Sequence, residues 1–249
     1  MEITILGSGT GVPSLKRNAS GLLIKIENKT LVFDTGPGTI KNLLKAGVTY
    51  HDVDCIFYTH FHTDHTLDLA TFLFAAKYAL SLRTKELLLA GPSGLQEFYN
   101  GLLNIYGDVI SPEAYKLNLR EIKEPFFEGD GYKIYTSQMQ HSLESLGYRI
   151  ESGKKIAVYS GDTDVCENIV KLGRDADILI LDCSFPDEMK VKGHLTPYEA
   201  AEIAQAANCK KLVLSHLYPV CEANAITRQA KKAFKGEIVV ASDLMKFSL

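Results

Sequence analysis

The stretch Thr59-His60-Phe61-His62-Thr63-Asp64-His65 decides how the rest of this sequence is interpreted. It holds three histidines and one aspartate within six positions, directly after the apolar run 53–58, which predicts a strand. His60 and His62 alternate on extended backbone and so point to one side, and a turn can bring Asp64 and His65 to an adjacent side. This arrangement would provide two imidazoles for one metal ion, and a carboxylate and an imidazole for a second. A His-rich surface loop is the alternative.

Further ligands are expected on other loops that follow strands. His141 follows the predicted strand 132–137, Asp162 follows the strand 155–159 at a turn that Gly161 permits, and His216 follows the strand 211–214. Each of them alone is more often a surface residue or a satisfied polar residue of the core. Their common position at strand ends, beside a run that still needs partners, predicts that they complete the metal site.

The order of predicted elements indicates an α/β (α+β) protein with one domain over residues 1–249. Periodicity predicts strands near 3–6, 21–26, 31–33, 53–58, 86–90, 115–122, 132–137, 147–151, 155–159, 177–181, 211–214 and 237–240. It predicts helices at 37–46, 67–82, 95–106, 165–173, 197–207 and 224–234, of which 67–82 is expected to be largely buried because it is apolar on almost every side. Two β-rich layers with helices outside them are the simplest arrangement.

Composition excludes several classes of protein. With 46% hydrophobic residues and a net charge of −3, the chain has neither a disordered composition nor an overall basic surface for a polyanion. Five widely spaced cysteines without a C-x-x-C do not form a disulfide framework or a zinc knuckle. No signal peptide is evident, and no apolar stretch approaches the ~20 residues that span a bilayer. A cytoplasmic location without membrane association is expected.

Several motifs together give a family resemblance. The chain resembles the metallo-β-lactamase-fold hydrolases, and among them the ribonuclease Z-like branch. The resemblance runs from Leu6-Gly7-Ser8-Gly9-Thr10 to His216, and it implies a four-layer αββα sandwich. Its further motifs are Phe33-Asp34-Thr35-Gly36, the 60–65 run, His141, Ser160-Gly161-Asp162-Thr163, and Gly193-His194-Leu195-Thr196 with Glu199-Ala200-Ala201-Glu202.

The resemblance implies a role for each candidate ligand. One metal ion would be held by His60, His62 and His141, and a second by Asp64, His65 and His216. Asp162 would bridge the two ions. Asp34 would orient a ligand or its loop from outside, although an ordinary aspartate at a strand-to-turn junction explains it equally well.

The implied cofactors are two divalent metal ions. Zinc is the first expectation because of the imidazole-rich ligand set, and manganese or iron are alternatives. Two such ions would turn a shared, bridging water into hydroxide near neutral pH, and Asp64 could accept the proton. A leaving alkoxide needs a proton, which His194 could donate while Asp182 holds its tautomer. Alternatively, His194 caps the helix that begins near Pro197. His51 matches no motif and is expected to be a surface residue.

The sequence also departs from ribonuclease Z. That enzyme carries a long basic arm between its third and fourth metal motifs, whereas here the interval 142–161 has room for only two strands and a turn. After the last histidine the family usually has a serine and an arginine, but this chain has Leu217-Tyr218-Pro219-Val220. Leu195 also replaces a small hydroxyl residue.

These observations favour a dinuclear metal-dependent phosphodiesterase that acts on a small or cyclic phosphodiester or on an RNA end. A tRNA 3′-processing endonuclease of the ribonuclease Z type is the first alternative. An ester, lactone or thioester hydrolase is the second, and a metal-binding scaffold or sensor without turnover is the third. The expected partner is a small-molecule or short nucleic-acid phosphodiester, and the apolar segments 67–82 and 95–110 would suit a substrate cleft or a homodimer interface.

Overall fold

The structure is a computed structural model that describes residues 1–123 and 125–249. Its strands form two sheets of seven strands each, and both sheets combine antiparallel and parallel pairing. In each sheet, three antiparallel pairs are followed by three parallel pairs. The parallel strands matter most for function, because their carboxyl ends lie along one edge of each sheet.

The first sheet contains the N-terminal half of the chain and the last strand. Its order is β14-β1-β2-β3-β4-β5-β6. The strands are β1 (Glu2–Gly7), β2 (Gly21–Ile26), β3 (Lys29–Phe33), β4 (Cys55–Phe57), β5 (Leu87–Gly91), β6 (Leu117–Glu121) and β14 (Lys246–Ser248).

The second sheet has the order β13-β12-β11-β10-β9-β8-β7. Its strands are β7 (Phe126–Gly129), β8 (Tyr132–Gln138), β9 (Leu146–Ser152), β10 (Lys155–Tyr159), β11 (Ile178–Asp182), β12 (Lys211–Ser215) and β13 (Glu237–Val240). β8 and β9 are joined by the short segment 139–145, so no arm extends from this part of the chain.

Helices cover the outer face of each sheet and give the four-layer αββα sandwich that the sequence predicts. One core, which includes stacked Phe33 and Phe57, fills the space between the sheets. A second core joins the first sheet to its helices, and a third joins the second sheet to its own. The helices are α1 (Thr39–Lys45), α2 (Thr63–Thr66), α3 (Asp68–Tyr78), α4 (Leu95–Tyr106), α5 (Glu167–Leu172), α6 (Pro197–Ala206) and α7 (Ala223–Ala230), with 3-10 turns at Gly107–Ile110 and Asp187–Met189.

The predicted helix 67–82 differs most from the structure. α3 ends at Tyr78 and buries only Leu69, Phe72, Leu73 and Ala76, so the prediction of a largely buried helix is wrong. Phe74 and Tyr78 are about half exposed, and Leu80 is fully exposed. Apolar residues on every side therefore do not indicate burial here. In the described part of the chain, no helix combines the length and the apolarity that a bilayer crossing requires.

Candidate metal centre

The first sheet delivers four candidate residues just after β4. His60 is buried in the loop that leaves the strand, and His62 is the exposed residue that precedes α2. α2 carries Asp64 in its first turn and His65, which is fully buried. The two-sided arrangement that the sequence predicted is present, because His60 and His62 belong to one group of donor atoms, and Asp64 and His65 belong to another.

The second sheet delivers the other three residues from three different strand ends. His141 follows β8, Asp162 follows β10, and His216 follows β12. Gly161 has a φ of 58°, and a side chain there would meet Thr59 at 2.6 Å, so glycine is needed to bring Asp162 to this place. His216 itself has a φ of 58°, a strained conformation for a residue other than glycine.

The two oxygens of Asp162 face two different groups of histidines. Oδ2 lies 3.7 Å from His60 Nε2 and 3.6 Å from His141 Nε2. Oδ1 lies 3.2 Å from both His65 Nε2 and His216 Nε2. The carboxylate therefore lies between two sets of nitrogen donors.

The donor atoms form overlapping groups in which every atom lies within 4.8 Å of the others. His62 Nδ1 is 3.1 Å from His141 Nε2, and Asp64 Oδ2 is 3.4 Å from His216 Nε2. The groups that could hold a metal ion are His60, His62, His141 and Asp162; Asp64, His65 and His216; and Asp162, Asp182, His194 and His216. The structure thus brings all seven sequence-predicted ligands together.

Most of these imidazoles are oriented from outside by a bond to the other ring nitrogen. Nδ1 of His60 contacts the Thr59 hydroxyl at 3.0 Å, and Nδ1 of His216 contacts the Ser184 hydroxyl at 2.9 Å. His141 Nδ1 donates to the carbonyl oxygen of Gly193 at 2.8 Å. An imidazole whose Nδ1 is held in this way presents Nε2 toward the centre, as in protein metal sites.

Burial and neighbouring charges shift the pKa values in opposite directions. Burial, reinforced by His65, lowers the pKa of His60 well below its usual value. Burial also disfavours the charged form of His65, but the Asp162 and Asp34 carboxylates outweigh it and raise the pKa of that imidazole well above the usual range. For Asp162 burial would raise the pKa, yet His216 and His65 lower it well below the usual range. The carboxylate therefore stays ionised in the centre of the cluster.

Two buried atoms test whether these residues fit a metal. His60 Nε2 and Asp162 Oδ1 are buried and make no hydrogen bond to any residue in the described part of the chain. An unsatisfied buried polar atom costs free energy, so native proteins rarely retain one without a partner. A cation among the imidazole nitrogens and carboxylate oxygens would satisfy both atoms. The donor set, the fold and the orphaned atoms together indicate divalent metal binding.

His194 and Asp182 lie beside this cluster. His194 Nδ1 donates to Asp182 Oδ2 at 2.8 Å, and Nε2 has no hydrogen bond to any of the described residues. Burial opposes the charged imidazole, but the bond to Asp182 raises the pKa of His194 above its usual value. The helix-cap alternative for His194 is wrong, because the N-cap of α6 is Thr196, which forms a capping box with Glu199.

Ser184, Lys190 and Gly11 are site residues that the sequence reasoning missed. The Ser184 hydroxyl donates to Asp182 Oδ1 at 2.6 Å and lies within 3.0 Å of Nδ1 of both His194 and His216. Lys190 Nζ bonds to Asp164, Glu199 and the His194 carbonyl oxygen at 2.5–2.7 Å, which fixes the loop that carries His194. The Gly11 N–H donates to Asp64 Oδ2 at 2.9 Å. Only Ser184 had a signal, its position two residues after Asp182.

Asp34 and His51 lie outside the cluster. Asp34 is fully buried behind His65, in contact with its Nδ1, so it orients this histidine rather than facing the cluster. His51 contacts the Ser81 hydroxyl at 3.2 Å and belongs to none of the three groups of donor atoms found among the described residues.

Comparison with known proteins gives a family match. A model of the β-lactamase superfamily domain matches residues 29–217, which is well over half of the chain. Ribonuclease Z of Methanosarcina acetivorans is 29% identical over 310 residues, covering 100% of this chain and 98% of the relative. That aligned length exceeds the 249 residues of this chain by about 60, so the archaeal relative contains segments without a counterpart here.

Solved structures show the same fold. The metallo-β-lactamase fold protein YhfI from Bacillus subtilis superposes with a TM-score of 0.86 at 22% identity, covering 99% of this chain and 98% of that one. The short form of human tRNase Z gives a TM-score of 0.79 at 26% identity, covering 100% and 99% of the two chains. The αββα architecture and its family are thereby confirmed.

Proposed function

This chain belongs to the β-lactamase superfamily, and from that premise we propose that it is a ribonuclease Z-type enzyme that hydrolyses a phosphodiester at RNA 3′ ends. The sequence alone favoured a small or cyclic phosphodiester, with the ribonuclease as the alternative. The curated relatives are named ribonuclease Z, and they align with this chain over nearly their whole length. They therefore support the ribonuclease alternative better. A ribonuclease Z-like, metal-dependent hydrolase is the broader statement common to both.

One observation carries the proposal: a single carboxylate, Asp162, presents one oxygen to each of two histidine groups. We assign one divalent ion to His60, His62, His141 and Asp162, and a second to Asp64, His65, His216 and Asp162, with zinc as the first candidate. When bound, such ions lower the pKa of water and stabilise charge that develops on the phosphoryl group.

The chain's own residues then handle the protons. The Asp64 carboxylate, oriented by the Gly11 N–H, accepts a proton from the water that attacks phosphorus. His194 donates a proton from Nε2 to the oxygen that leaves as the other phosphorus–oxygen bond breaks. Asp182 holds Nδ1 of His194, and its negative charge favours the protonated imidazole that this step requires.

Two RNAs of different size test the proposal. A precursor tRNA and a hairpin of its acceptor stem alone should both be cut at the 3′ trailer by the metal-loaded protein. Similar kcat/KM values for the two are expected, because the 139–145 connection offers no arm to grip the tRNA body. Bis(p-nitrophenyl) phosphate serves as the reference substrate. Its turnover without cleavage of either RNA would exclude the ribonuclease and keep the hydrolase.

The short 139–145 connection also favours a second candidate, a phosphodiesterase of small or cyclic substrates. Binding of long RNA depends on phosphate contacts, each of which adds about −0.7 to −0.9 to the slope of log affinity against log salt. For an enzyme of small substrates, the slope of log affinity against log salt for precursor tRNA should correspond to only a few phosphate contacts. A nucleoside 2′,3′-cyclic phosphate hydrolysed faster than either RNA would place this candidate first.

A further inference from the structure

Two aromatic rings lie at the edge of the metal cluster and belong to none of the three cores. Phe185 and Tyr218 stack on each other with ring centroids 4.2 Å apart and planes inclined by 26°. Both side chains are half-buried, and among the described residues neither is part of a core cluster or packed against one. Their rings therefore contribute little to the interior of the fold.

The pair, which we call the aromatic platform, is close to the reacting groups. The Phe185 ring is 6.4 Å from the His194 ring, and the Tyr218 ring is 6.3 Å from the His216 ring, both in edge-on orientation. The two imidazoles are themselves stacked 5.4 Å apart. A substrate whose phosphate reaches the cluster thus has the platform beside it.

The backbone of the platform is fixed on both sides. The Tyr218 N–H donates to the carbonyl oxygen of Ser184, and the Cys221 N–H donates to that of Tyr218 at 2.9 Å. Ser184 N–H in turn donates to Leu195, next to His194. Two rings that stack on each other and are carried by such a backbone lose little conformational entropy when a ligand stacks on them.

We propose that the aromatic platform Phe185–Tyr218 binds the nucleobase, or another planar ring, attached next to the scissile phosphate. Stacking on an aromatic side chain suits every base, because each base has a π-face. The inference rests on the proposed phosphodiester hydrolysis and specifies what the substrate carries beside its phosphate.

The test compares two ligands that share a phosphate and a sugar. The Kd values of AMP and of ribose 5-phosphate, which lacks the base, are measured by calorimetry with the metal-loaded protein. AMP should bind roughly 5- to 100-fold more tightly, which is the usual effect of stacking one base. In Tyr218→Leu and Phe185→Leu the Kd ratio should fall toward one, whereas Tyr218→Phe should retain it.

A matched control uses another exposed aromatic pair. Phe74 and Tyr78 on α3 have centroids 4.7 Å apart, and among the described residues neither ring contacts a histidine of the metal cluster, so Tyr78→Leu should leave the ratio unchanged. Metal content and Tm show that each variant is folded. A wild-type ratio near one, or equal ratios in wild type and both platform variants, would overturn the inference.

Hydrolysis of bis(p-nitrophenyl) phosphate by the wild type separates the two proposals. Ring-dependent AMP binding without any phosphodiester hydrolysis would remove the proposed function and leave the platform as a ring-binding site. Hydrolysis together with a Kd ratio of one would keep the proposed function and remove the platform as a ring-binding site.

Discussion

Asp34 Oδ2 lies 2.8 Å from Nδ1 of His65, and neither side chain is exposed to solvent. The same carboxylate accepts bonds from the Thr59 backbone N–H and from the Tyr159 hydroxyl. Because Thr59 follows β4 and Tyr159 ends β10, Asp34 joins the two sheets directly behind the metal cluster. With a φ of 59° its backbone is also strained, a conformation that persists only where surrounding contacts determine it.

Asp34→Asn should therefore weaken metal binding. The amide keeps the size of the side chain but removes the negative charge that orients His65 and favours its Nδ1–H. Loss of a side chain that hydrogen-bonds to a metal-ligating histidine lowers metal affinity by roughly 10- to 100-fold. Competition with a chelator measures this affinity. Asp243→Asn is the control, since Asp243 accepts bonds from Ser8 and Asn18 outside the cluster. Equal metal affinity of Asp34→Asn and wild type would assign Asp34 a purely structural role.

Removal of metal should destabilise the protein. The cluster without ions leaves His60 Nε2 and Asp162 Oδ1 unsatisfied, so the ions should bind the folded chain far better than the unfolded one. At a free metal concentration 100 times Kd, the stabilisation is about 2.7 kcal/mol per site. Metal analysis should give two equivalents per chain, and chelation should lower Tm reversibly. Fewer than one equivalent after zinc or manganese is added would contradict the assignment of two ions.

His194→Ala should lower turnover without loss of metal. A positioned acid contributes roughly 10²- to 10⁴-fold, and the loss should be greatest with an alkoxide leaving group. A nitrophenolate leaves without a proton, so kcat on that ester should fall less. His51→Ala, whose side chain contacts only Ser81 in the described hydrogen bonds, is the control. The acid role is disproved by equal losses on both substrates.

Most thiols should resist reaction with a disulfide reagent in the folded protein. Burial raises the pKa of Cys55 and of Cys221 to about 11, and that of Cys209 to about 12. Since the thiolate is the reactive form, a raised pKa leaves very little of it at pH 8. Cys166 is the half-buried exception. Titration with an aromatic disulfide at pH 8 should show at most one fast thiol, and all five in denaturant. Several fast thiols in the native protein would contradict the described packing.

The strands that could be predicted from the sequence are those whose own residues show apolar alternation and whose ends are marked by turns. β2, β10 and β13 lie at the predicted residues because alternation and turns mark both their ends. β14 has only three residues and exists through its pairing with β1, at the other end of the sequence. β7 was missed as well, since Phe126–Gly129 contains one buried side chain and no alternation of useful length.

The candidate site divides in the same way. The ligand run could be predicted because metal chemistry restricts residue type and spacing, and strand ends bring His141, Asp162 and His216 together. Lys190 could not be predicted, because its partners Asp164, in the loop after β10, and Glu199, in the first turn of α6, become neighbours only in the folded protein. A lysine without any periodic context is ordinarily a solvated surface residue.

The origin of the ligands in two sheets affects how the protein folds. His60 and His65 come from the first sheet, whereas Asp162 and His216 follow strands of the second, between 97 and 156 positions later in the sequence. Contacts between such distant segments form slowly, because the chain loses much loop entropy before they are made. Neither sheet holds the complete ligand set. Uptake of metal during refolding should therefore be a late event that coincides with the docking of one sheet on the other.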